Sequence, residues 1–114
     1  VKYLGKLPVA LFNDNQIMAR EFRRWDDARR KFARPGKDRA TVDQWKQRIE
    51  QGKLEPLILG VSDRYPDVYI GDGHHRAIAL MEMGVKEFPF HWYWIRWIGV
   101  HMEREPFPYK LVGM

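Results

Sequence analysis

Two short apolar runs, Leu57-Ile58-Leu59-Gly60-Val61 and Val68-Tyr69-Ile70-Gly71, stand either side of the turn-forming stretch Ser62-Asp63-Arg64-Tyr65-Pro66-Asp67. A helix-patterned segment follows at once, over 74–83, and stops at Gly84, a residue suited to the left-handed position just past a helix end. The first run follows Pro56 and is almost continuously apolar, which predicts a strand buried on both faces. The second is a short strand. Between it and the helix there is no linker, only Gly71-Asp72-Gly73. The rest of the chain must pack around this strand–turn–strand–helix unit.

The flanking segments supply the other layers. Residues 3–12, Tyr-Leu-Gly-Lys-Leu-Pro-Val-Ala-Leu-Phe, alternate like a strand until Pro8 interrupts them, which predicts an edge strand or extended arm. Asn13, Asp14 and Asn15 can each cap a helix. Met18, Phe22, Trp25, Ala28 and Phe32 then fall at helical spacing and predict a basic amphipathic helix over 15–33. The segment 33–40 breaks it. Thr41-Val42-Asp43-Gln44 reads as a capping box opening a short helix that carries Trp45 and Ile49 on one face and stops at Gly52.

Beyond Gly84, the segment from Phe88 to Val100 is a third strand region, with Phe88, Phe90, Trp92 and Trp94 on one face and His91, Tyr93 and Ile95 on the other. Core packing is the default role of such rings. The surplus, Trp97 included, could meet the C-terminal arm, a second copy of the chain, or a nucleobase. The arm, 103–114, carries Pro106 and Pro108 and is expected to be extended, packing on its own domain or on a partner. A homodimer would therefore form through the aromatic strand or this arm. The element order predicts an α+β fold, one domain over 1–114 with a small mixed sheet and flanking helices.

Composition excludes several function classes. The chain has 114 residues, 45% of them apolar, which is enough for one core. It has no cysteine, so disulfides, thiolate metal sites and thiol nucleophiles are ruled out. No apolar run approaches the roughly 20 residues of a membrane span, and no signal-peptide pattern is visible. A cytoplasmic protein without a membrane partner is the expectation. The net charge of +5 is unevenly spread. Arg20, Arg23, Arg24, Arg30, Lys31 and Arg34 crowd the first helix region and make nucleic acid, DNA in particular, a natural partner. The alternative is a solvated helix face held by Asp26/Arg30 and Asp27/Lys31 pairs at i,i+4.

The corner Gly71-Asp72-Gly73-His74-His75-Arg76 is where chemistry concentrates. Gly71 and Gly73 let the backbone turn sharply and approach a ligand. Asp72 could cap the helix, hold a metal ion, or receive a substrate hydroxyl. Adjacent histidines on a helix point about 100° apart, so His74 and His75 do not form a shared metal site. Imidazole N–H groups and the Arg76 guanidinium suit phosphate oxygens. Such cationic groups at a helix N-terminus oppose the macrodipole unless an anion, or internal partners such as loop carbonyls and carboxylates, compensate them.

The segments Leu54–Val61, Val68–Val85 and Glu87–Ile95 resemble the core of the ParB/sulfiredoxin superfamily over about residues 41–95. That resemblance implies a short helix leading into a strand, a hairpin strand, and a Gly-x-x-Arg helix turn that binds nucleotide phosphates. Gly73 and Arg76 fit that motif. His74 stands where sulfiredoxins carry their cysteine, so sulfinic-acid reduction is excluded. His74, His75 and Ile78 replace the Glu and Arg residues by which ParB partition proteins bind CTP. Asp72-Gly73-His74-His75-Arg76 is locally most similar to the superfamily's free serine kinases, where the segment is implicated in nucleotide phosphate binding and phosphoryl transfer. Their catalytic glutamate lies outside the motif, and Glu21 is the nearest candidate here.

The resulting expectation is a nucleotide-phosphate-binding protein taking a nucleoside tri- or diphosphate with Mg²⁺. Gly71, Gly73, His74, His75 and Arg76 hold the phosphates, Asp72 places the metal, and His74, Asp72 and Glu21 serve any hydrolysis or phosphotransfer. The alternatives are a DNA-binding protein or ParB-like nuclease using the basic helix, and a non-catalytic interaction module.

Overall fold

The computed structural model describes residues 1–95 and 100–114, and Trp97 lies outside them. Five strands form one mixed sheet in the order β1-β5-β3-β4-β2. The hairpin at its centre is β3 (Leu57–Ser62) and β4 (Val68–Asp72), antiparallel, with Leu59 opposite Ile70 and Val61 opposite Val68. Leu57, Leu59 and Val61 are fully buried, and so are Val68 and Ile70. The apolar run after Pro56 is thus the central strand. β5 (Glu87–Ile95) lies parallel to β3 on its other side, in register from Leu57–Phe90 to Ser62–Ile95. β1 (Gly5–Pro8) pairs antiparallel with β5 and forms one edge, and Pro8 sits at its last residue. An edge strand tolerates a missing N–H there.

The parallel β3–β5 pairing requires a crossover, and α3 (His74–Met83) supplies it. Ala77, Ile78, Ala79 and Leu80 are fully buried in it. It ends at Gly84 in the left-handed conformation, φ 69°, as its sequence position predicts. α2 (Lys37–Glu50) packs on α3, and Glu82 joins the two helices by accepting from Arg39 at 2.9 Å and Lys46 at 2.7 Å. The Arg39 hydrogen bond holds the Glu82 carboxyl below its usual range.

Two helix starts differ from expectation. The basic helix over 15–33 is shorter: α1 spans Trp25–Ala33. Asn13 Oδ1 accepts the N–H groups of Asn15 and Gln16 and turns the chain, and Ile17–Met18 then pairs with Val68 and Tyr69 as β2. The apolar positions at 18 and 22 belong to a strand and a bend, and strand pairing has overridden the helical spacing. Asp14 Oδ1 accepts the Trp25 N–H and caps α1 from across that loop. α2 begins at Lys37 rather than near Val42. Thr41 lies inside it, and its hydroxyl donates to the Lys37 carbonyl, so Thr41 and Gln44 do not form a capping box.

Aromatic rings bind the outer segments to the sheet. Phe88, Phe90 and Trp92 are buried on the face read from their alternation, and Phe12 stacks on Phe88 at 4.4 Å. Phe107 meets Phe90 at 5.1 Å and Trp92 at 5.7 Å. The Trp92 indole donates to the Glu105 carbonyl, and the Glu103 N–H donates to the Trp92 carbonyl. The C-terminal arm therefore packs on its own sheet. It is only partly extended, since a 3₁₀ turn forms over Tyr109–Val112 and buries Val112.

Candidate phosphate site at the start of the third helix

β4 ends at Asp72, and Gly73 joins it to α3 with φ +121°, a conformation that disfavours a side chain. A Cβ at Gly73 would stand 2.9 Å from Leu57 Cγ. Gly73, not Asp72, occupies the cap position of α3, and no side-chain oxygen caps the helix. No carboxylate lies in its first turn. The capping role read for Asp72 is thus not the one it takes. Its carboxylate turns to Arg76 instead, accepting from Nη2 at 3.0 Å.

Arg76 is 6% exposed, buried at the junction of three elements. Its Nη1 donates to the Pro56 carbonyl at 2.8 Å and the Glu55 carbonyl at 3.3 Å, just before β3. The guanidinium lies 5.0 Å from the Trp45 ring of α2, and Arg48 lies 4.8 Å from the same ring. Arg76 therefore fastens the first turn of α3 to β3 and α2.

The two histidines diverge as helical geometry requires. His75 Nε2 lies 2.9 Å from Asp38 Oδ1, and its ring stacks on Phe32 at 4.5 Å with 3° between planes. His74 turns the other way, toward Phe22 at 6.0 Å and Trp25 at 6.3 Å. Its Nε2 accepts the backbone N–H of Arg20 at 3.1 Å. Burial pushes the His74 imidazole below its ordinary value, against the pull of the Glu21 and Asp72 carboxylates and with that of His75 and Arg20. A neutral ring with Nε2 accepting carries its proton on Nδ1.

The sequence-predicted residues thus fall into two groups. His74, His75, Arg76, Asp72 and Gly73 surround the α3 start, and the Glu21 and Arg20 charges also reach His74. At Gly71 a Cβ would lie 2.8 Å from the Tyr93 ring, so this glycine makes room for a side chain of the protein itself. Arg20 Nη1 donates to the Tyr93 hydroxyl at 3.0 Å. Arg23 and Arg24 are exposed on the bend before α1. Arg30, Lys31 and Arg34 lie at the far end of α1, where Arg30 pairs with Asp27 at 2.6 Å rather than with Asp26. Lys31 sits over the Phe22 ring at 5.6 Å and makes no pair with Asp27.

Asp38, Phe32 and Tyr93 are the site's unforeseen members. Glycine at both 60 and 71, flanking one strand pair, was the available signal for a large ring on that face. Among the described residues no group of three or more His, Asp or Glu side chains is arranged to hold a metal ion. The Asp72 side chain is 71% exposed and offers one carboxylate beside the helix start. Mg²⁺ is commonly held by one or two carboxylates together with substrate phosphates, and Asp72 suits that role. No family model matches the chain, nor does any curated protein or solved structure.

Proposed function

We propose that this protein binds the phosphate groups of a nucleoside di- or triphosphate at the start of α3. The observation that carries the reading is the uncapped helix start: a glycine with φ +121° leads into α3, and no side-chain oxygen or first-turn carboxylate occupies the N-terminal end. Unpaired N–H groups and the macrodipole both favour an anion there. His75 and the exposed Arg20 provide further donors beside it. The element order from α2 through β5 supports the resemblance to the ParB/sulfiredoxin superfamily over residues 41–95.

Asp72 would hold a Mg²⁺ that arrives with the nucleotide, and the ion would supply charge neutralisation for the phosphates. The chain's own groups orient the phosphates. His74 accepts a proton only when the Arg20 N–H leaves Nε2, so the geometry favours binding over turnover, and hydrolysis or phosphotransfer would require the 20–24 bend to move.

Calorimetric titration with ATP, ADP, CTP and GTP, with and without Mg²⁺, tests the reading. The diagnostic variant is His75→Glu with Asp38→Asn, which places a carboxylate in the first turn and removes the like-charge contact it would otherwise meet. Saturable binding weakened at least tenfold in that folded variant is the expected result, since a helix-start carboxylate competes with a bound anion. Absence of binding to every nucleotide in the folded parent protein overturns it.

A further inference from the structure

Between the 20–24 bend and the end of α1 lies a cavity of about 390 Å³, lined by Phe22, Asp27, Arg30, Lys31 and Arg34. The last four are spaced as one helical face. Their local explanation is incomplete. Arg30 and Lys31 complement the negative end of the α1 dipole, and Asp27 answers Arg30. Yet seven cations against three carboxylates fall between residues 20 and 34, which accounts for nearly all of the chain's net charge of +5. Arg23 and Arg24 sit at the opposite end of α1, where cations oppose the dipole. Neither they nor Arg34 make an ion pair among the described residues.

The cavity also contains a fixed aromatic ring. Phe22 is half-buried, its ring meeting Phe32 edge-on at 5.6 Å and His74 at 6.0 Å. A held ring surrounded by cations is the arrangement that binds single-stranded nucleic acid, with bases stacking on the ring and phosphates meeting the cations. A concave site suits a strand rather than a duplex, because only an unpaired base can leave its stack and enter. Lys31 holds its ammonium over the Phe22 ring at 5.6 Å, so a base entering that face displaces it and leaves it free to meet the nucleotide's own phosphate.

We infer that this cavity binds a single-stranded oligonucleotide, with a base against Phe22 and backbone phosphates at Arg30, Lys31 and Arg34. The site adjoins the α3 start through the Phe22–His74 contact, so one strand can occupy both, but it does not depend on nucleotide binding there.

The test is fluorescence anisotropy of a labelled eight-residue oligothymidylate across a salt series, with the parent protein and a Lys31→Ala, Arg34→Ala double variant. Both side chains are exposed, and circular dichroism checks the fold. The expected result is a loss of about tenfold or more in affinity. The slope of log K against log salt should fall by about 1.4, two phosphate contacts at about 0.7 each for a single strand. Equal binding by the double variant overturns the inference, as does failure of the folded parent to bind the oligomer. Tighter binding of the matching duplex overturns the single-strand assignment, and competition by tripolyphosphate equal to that by the oligomer overturns the role of the base. Mononucleotide titration of the same double variant reads the α3 site separately, so failure at one site is distinguishable from failure at the other.

Discussion

The backbone N–H of Arg20 donates to Nε2 of His74 at 3.1 Å, joining the irregular 20–24 bend to the first residue of α3. The same bend is held a second time by Arg20 Nη1 on the Tyr93 hydroxyl. These bonds tie the most basic segment of the chain to the candidate phosphate site, and one of them depends on the protonation state of a histidine.

That dependence has a definite sign. Burial lowers the folded-state pKa of His74 below its ordinary value near 6.5, so the unfolded chain binds the proton more readily. The His74 contribution to stability is fully present above about pH 6.5 and is lost as the pH falls toward the lowered folded-state value. Urea unfolding between pH 8 and pH 5 should show this loss, and His74→Asn should diminish it. Proton NMR of the imidazole C–H should place the His74 midpoint below the ordinary imidazole value near 6.5. A His74 midpoint at or above that ordinary value would contradict the buried, N–H-accepting ring.

Arg76 is expected to act on stability before it acts on any ligand. Arg76→Ala removes the donors to the Glu55 and Pro56 carbonyls and the cation over Trp45. A buried polar group left unsatisfied costs about 1–3 kcal/mol, and the loss should appear as a lower urea midpoint with little change in slope. Arg76→Lys should recover only part of it, because an ammonium cannot span both carbonyls and Asp72 in one planar fork. Stability unchanged in Arg76→Ala would show that the guanidinium does not fasten β3 to α3. Nucleotide binding is better tested at His75, where the fold is less at stake.

Legibility from sequence followed the locality of the forces. The β3–β4 hairpin, α3 and its Gly84 end are specified by residues within a few positions of one another, and they form where their patterns lie. The start of α1 is specified by a distant partner. Met18 satisfies helical spacing with Phe22 and Trp25, but β4 pairs it and Ile17 as a strand, and no feature of 15–24 announces that. Thr41 has capping chemistry, yet Gly36 lets the helix start a turn earlier. The corner's residues were legible as a cluster. Their individual partners were not, since Asp38, Pro56 and Arg20 come from three other segments.

The closure of the chain's two ends can be read from one phenol. Tyr3 and Tyr109 share a hydrogen bond of 2.6 Å between hydroxyls, and Tyr3 also receives its place from the Glu103 carbonyl. Burial, reinforced by that bond, pushes the Tyr109 hydroxyl up to about 12. A raised tyrosine pKa means that the folded state prefers the neutral phenol, so this contribution to stability is present below about pH 10 and is lost as pH rises through the interval to about 12. Absorbance titration at about 295 nm should therefore show a last tyrosine ionising near 12, apart from Tyr69, which burial and the Asp67 carboxylate also push above the ordinary value near 10. Tyr3→Phe should bring that late step downward without abolishing it, because burial is the larger cause and the hydrogen bond the smaller. Tyr109→Phe should remove the step near 12 and leave that of Tyr69. A step near 12 that persists in Tyr109→Phe would assign it to another tyrosine and would leave the arm's packing at Tyr109 without this support.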